Sequence, residues 1–235
     1  MLTLEVVHGS WFSGKLYPMR CDISFDGKWL VYLAMGAKGN TWNGISELPR
    51  LTCAAEGTNL GAWFGGGFWA NRQTIHLNGW VISKGATPFK TLSVPSKDHG
   101  EDLGILYRRM ERDGWVRAGP NWGEDQKVKE SQSYQEVRIG DDGWEYKPTS
   151  SHPTLRANYI GYAGGYKFRF RIEEFPDLLD EQVDWATYDS RGKLIWSRLG
   201  VVRISKVSTR SSFDPCTEFD FNLLVAPKNG SSICK

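Results

Sequence analysis

The chain has 235 residues and a mass of 26.6 kDa, of which 40% are apolar and 24% charged, enough to bury a sizeable core within one domain. Lys and Arg number 29 against 27 Asp and Glu, and the resulting net charge of +2 offers a polyanion no broad attraction, which speaks against general nucleic-acid binding. The 11 Trp, 9 Tyr and 11 Phe exceed ordinary usage and suit pleated strands and their core.

The opening Met1-Leu2-Thr3-Leu4-Glu5-Val6-Val7-His8 has no basic region followed by a long apolar stretch. No run approaches the ~20 apolar residues of a membrane helix, so neither export nor a membrane partner is expected. Cys21, Cys53, Cys216 and Cys234 lack CxxC spacing and are too sparse for a disulfide scaffold. They read as the thiols of a cytoplasmic protein, with Cys21 and Cys53 in the core and Cys234 exposed near the end.

Period-two alternation recurs along the chain with Gly and Pro punctuation, while helical periodicity is scarce. Strands are predicted at 2–8, 19–25, 28–35, 41–46, 50–55, 64–70, 73–78, 89–94, 103–110, 115–118, 134–139, 143–147, 154–162, 166–173, 183–188, 193–198, 201–207 and 218–226. The best helical candidate is the short Pro176–Gln182. Asp26-Gly27, Asp113-Gly114, Asp142-Gly143 and Arg191-Gly192 each follow an apolar run and predict hairpins, and Asn71-Arg72-Gln73 supplies another. So many strands exceed one open sheet, leaving a sandwich, a barrel or a radial array of small sheets. Five hairpin units of about 47 residues each match the blade size of a β-propeller.

Ile23-Ser24-Phe25-Asp26-Gly27-Lys28-Trp29-Leu30-Val31-Tyr32 resembles the central hairpin of blades in WD-repeat proteins and related bacterial propellers, and Val183 to Arg198 is similar more loosely. The Gly-His and Trp-Asp dipeptides of typical WD repeats are missing. The resemblance implies an all-β, five-bladed, divergent propeller over residues 1–227, closed by strands from both termini, with a short flexible tail at 228–235. A β-sandwich with long loops is the competing architecture.

Candidate chemistry is sparse. No Gly-x-Ser-x-Gly elbow is present, and His8, His76, His99 and His152 stand isolated in sequence. No HExxH, paired CxxC or Asp-rich loop suggests a metal, and no cofactor is implied. Gly65-Gly66-Gly67 lacks the helix and Lys of a phosphate cradle, so its expected role is close backbone approach, with Trp63, Phe64 and Trp69 around a possible ligand pocket.

In Tyr166-Lys167-Phe168-Arg169-Phe170-Arg171-Ile172 the aromatic residues and Ile172 take one face of a strand, leaving Lys167, Arg169 and Arg171 as a basic stripe on the other. Arg108 and Arg109, with Arg112 and Arg117, extend that stripe if their strands adjoin it. Residues 119–135 read as a long polar loop in which Trp122 is a candidate partner anchor.

The expected function is a non-enzymatic protein-binding or scaffolding module in a multicomponent assembly. The alternative is a hydrolase or carbohydrate-binding protein with an acidic or aromatic central pocket, for which Asp22, Asp184 and Asp189 are the candidate carboxylates.

Overall fold

The structure is a computed structural model that describes residues 5–36, 38–58, 63–94, 102–118, 139–162, 165–179, 183–206 and 217–225. It is all-β: an array of small, predominantly antiparallel sheets of the propeller-like kind expected, four in number rather than five among the described residues. The chain divides into two compact units, Met1–Asp113 with Val225–Lys235, and Gly114–Leu224.

In the first unit, β1 (Lys15–Leu16), β2 (Asp22–Ile23), β3 (Trp29–Met35), β4 (Thr41–Glu47), β5 (Thr52–Gly57) and β8 (Lys84–Gly85) form sheet A, ordered β1-β3-β4-β5-β8 with β2 also on β3. The uninterrupted apolar run of β3 fits a strand covered on both faces. Val31 joins a core of Ile45, Ala55, Trp69, Ile75, Leu77 and Trp80, while Tyr32 and Ala34 pack on the other side with Cys21. Gly44 is required opposite Tyr32, because any side chain there would run into the phenol ring. Burial pushes the Cys21 thiol up to about 11, consistent with a core thiol; Cys53 is half-buried, and Cys216 and Cys234 lie outside the described residues.

Sheet B comprises β6 (Gly67–Asn71), β7 (Thr74–Leu77) and β9 (Lys90–Ser93), with β9 parallel to β7. Ile75 and Leu77 face the core shared with sheet A, whereas Phe68 meets Val94 and Ile105. The glycine run before β6 acts as a strap: Gly66 N–H donates to buried Asn43 Oδ1 at 2.7 Å, and the Trp80 indole donates to Gly66 O at 2.7 Å. A Cβ at Gly66 would strike the Arg20 backbone, which is the close approach the sequence implied.

The predicted strand at 103–110 is instead a helix, α1 (Asp102–Arg112). Asp102 sits in its first turn, Arg109 and Arg112 in its last, and Ile105, Leu106 and Met110 are buried. Gly114, with φ +91°, follows the last turn, so Asp113-Gly114 ends a helix and is not a hairpin turn.

In the second unit, β10 (Val116–Ala118), β11 (Ile139–Tyr146), β12 (Leu155–Tyr162) and β13 (Gly165–Ile172) form the meander of sheet C. The strands β14 (Trp185–Tyr188), β15 (Leu194–Arg198), β16 (Val201–Ser205) and β17 (Thr217–Asp220) form sheet D. Asp142-Gly143 lies within β11 at a register irregularity, not at a turn. The Asp-Gly and Arg-Gly hairpins that do form are Asp26-Gly27, between β2 and β3, and Arg191-Gly192, between β14 and β15. Pro176 to Leu179 form turns and bends, not the expected helix. Glu5–Val7 lie outside any strand, and β17 pairs with β16.

Candidate functional site

The alternation read in β13 is present: Phe168, Phe170 and Ile172 are buried, Arg171 is exposed and Arg169 half-buried. Phe170 meets Trp185 edge to face at 5.1 Å, tying sheet C to sheet D. On the polar face, register places Arg171 directly opposite Arg156, Arg169 opposite Asn158 and Lys167 opposite Ile160. Arg156 is neutralised on two sides, by Glu145 at 2.6 Å and Glu173 at 2.9 Å. Arg171 is exposed and has no ion pair among the described residues.

Arg108 and Arg109 lie on the helix α1 of the first unit and not on a strand of sheet C. Arg109 lies 3.3 Å from Asp22 Oδ1 and donates to Pro18 O at 3.1 Å. Arg112 pairs with Asp22 and with Asp113, and Asp22 also accepts the Trp69 N–H at 2.8 Å. Burial works against the Arg112 guanidinium, but its hydrogen bonds to Asp113 and Asp22 outweigh that and raise its pKa. Arg20 closes the set on Asp102 at 2.5 Å. Arg108 pairs with Glu111 and stands near His76. Sequence reading missed this network because its partners are 82 and 90 residues apart. Trp122 lies outside the described residues, and Arg117 is exposed over the Trp144 ring.

Trp63, Phe64 and Trp69 have different surroundings among the described residues. Trp63 is largely exposed, the Phe64 carbonyl accepts from Arg20, and Trp69 is fully buried edge to face with Phe89 at 4.5 Å. A cavity of about 410 Å³ opens nearby, lined by Leu77, Trp80, Val81, Ile82 and Leu92 together with Thr58, Gly79, Thr91 and Ser93. The apolar Trp80-Val81-Ile82, which enters no strand, was the signal for it.

The candidate carboxylates serve as structural acceptors. Asp22 is closed in by Arg109, Arg112 and the Trp69 amide. Asp184 accepts the Leu199 N–H at 2.9 Å, and Asp189 accepts those of Arg191 and Lys193, each at 2.8 Å. Asp184 and Asp189 flank the two ends of β14, and strand rise separates their Cα atoms by roughly 16 Å. A hydrolase pair stands about 5–10 Å apart.

Among the described residues no group of His, Cys, Asp and Glu is arranged to hold a metal ion, and no helix is long and apolar enough to cross a membrane. No protein-family model, curated protein or solved structure matches the chain.

Proposed function

We propose that the chain is a non-enzymatic, cytoplasmic protein-binding module that presents the polar face of sheet C to an acidic surface of its partner, as a WD-repeat-like scaffold would. The observation that carries this reading is the exposed Arg171, set opposite an Arg156 whose charge is already balanced by Glu145 and Glu173. Like charges directly opposite on adjacent strands are unfavourable, so the arrangement gives the fold nothing that a neutral residue would not. An external carboxylate supplies the missing counter-charge; half-buried Arg169 lies two residues away on the same strand, and Lys167, of the same alternation in the sequence, completes the proposed stripe. Such a contact adds steering and selectivity more than raw affinity.

The test is quantitative affinity capture from native extract with the wild type and the Arg169→Glu, Arg171→Glu variant. The expected result is a stoichiometric partner lost by a variant that unfolds at the wild-type midpoint. Equal recovery of that partner by both proteins would overturn the assignment.

A further inference from the structure

The tip of sheet D violates two local rules at once. The turn between β15 and β16 is Leu199-Gly200, with φ +49° and +79°, the type I′ geometry that favours Asn-Gly. Leu199 therefore sits in the left-handed region, where a side chain is strained, and it is also 65% exposed. The conformation is held from both sides: Asp184 accepts the Leu199 N–H at 2.9 Å, and Asn222 Nδ2 donates to Leu199 O at 2.8 Å. The clamping segment after β17 displays Leu223, 82% exposed, beside Phe221 and Leu224. Phe221 N–H donates to Gly200 O at 3.1 Å, so the two turns form one apolar knob. Exposed Asp184 and Asp220 flank it.

The cavity beside sheet B has the complementary character. Its walls are largely apolar, no charged residue lines it among the described residues, and Val81 and Leu92 are themselves exposed at 74% and 42%. Exposed Lys90, next to Thr91, has no ion pair among the described residues. The cavity also falls within the roughly 300–1,000 Å³ that takes up a compact ligand.

We propose that copies of this chain associate head to tail, the Leu199–Leu223 knob of one entering the Trp80–Val81 cavity of the next. Burial of both exposed apolar surfaces drives the contact, and Lys90 faces the acidic flank of the knob. The net charge of +2 provides little repulsion between copies. Because knob and cavity are different surfaces, the contact is heterologous and propagates beyond a dimer unless a ring closes.

Sedimentation velocity of the full chain over a concentration series tests this. The wild-type average mass is expected to climb past twice that of the monomer, while Leu223→Asp and Val81→Asp each stay monomeric, weakened at least about tenfold. Mixed in equal amounts, the two variants should form a dimer and nothing larger, since one intact knob meets one intact cavity. Leu199→Asn, which relieves the backbone strain, should remain folded by near-ultraviolet circular dichroism yet associate less. A wild type that stays monomeric throughout, or binds phosphatidylcholine vesicles through Leu223 while monomeric, would overturn the proposal. So would association that survives Val81→Asp, which would denote a knob-to-knob dimer, or a variant mixture that stays monomeric.

Discussion

The arginines of α1 and those of β13 look alike in sequence and do opposite work. Arg109 and Arg112 turn inward, where buried Asp22 ties the last turn of the helix to the backbone of β6 through the Trp69 amide. Arg171 turns outward from a strand whose other face is filled by Phe168, Phe170 and Ile172, and among the described residues no carboxylate meets it. Burial separates the two sets. A guanidinium removed from water is stable only when paired and hydrogen-bonded, whereas a solvated one needs no partner within its own chain and is available to another. A cation therefore marks a binding surface only once the fold has left it unanswered.

The sharpest way to break this comparison is to remove the buried acceptor. Asp22→Asn leaves Arg112 and Arg109 without their shared carboxylate in a site where Asp22 is only 4% exposed. Losing one partner of a buried ion pair costs about 3–5 kcal/mol, and urea unfolding should register that much with the first unit weakened. A loss under about 1 kcal/mol would mean that the network is solvated and that the two sets of arginines do not differ.

A smaller effect should come from Arg108, the α1 arginine near His76. His76 packs 5.1 Å from the Phe68 ring, and its buried Nδ1 finds no hydrogen-bond partner among the described residues. Desolvation, and then the Arg108 charge, hold its pKa below the usual histidine value. The unfolded chain therefore binds the proton first. Stability contributed by neutral His76 is complete above about pH 6.5 and declines as the pH falls from there through the lower folded-state value. Arg108→Ala should raise the His76 pKa in an NMR titration and make the acid decline shallower. An unchanged pKa would show that Arg108 does not act on the ring.

Much of the fold was legible because alternation is a local property. β4, β7, β12, β13, β15 and β16 fall where strands were expected, and so does β3, whose apolar run is uninterrupted. The helix is hidden in the sequence because Ile105, Leu106 and Met110 sit inside a run that also alternates, and because the Asp-Gly after it matches a hairpin signal. Asp-Gly need not mark a hairpin: Gly143 lies within β11 with no positive φ, and elsewhere the glycine answers a need for positive φ. At Gly27 and Gly192 that need is a tight turn, and at Gly114 it is the end of a helix. The stripe at Arg169 and Arg171 was readable since one strand carries it. The Asp22 network and the Trp80 cavity were not, because each joins residues whose meeting depends on how sheets A and B pack.

The gentlest prediction tests the other side of the comparison. Arg171→Ala removes a cation that stands opposite Arg156 and makes no ion pair with the described residues. Arg156 keeps both Glu145 and Glu173, so stability should change by no more than about 0.5 kcal/mol. The sign should favour the variant, because a like-charge cross-strand pair is relieved. That gain is a solvent-exposed Coulomb effect and should shrink as salt is added, which urea unfolding at low and high ionic strength will detect. A loss above about 1 kcal/mol, indifferent to salt, would place Arg171 among the residues that hold the fold together, as Asp22 does, and would withdraw it from the binding surface.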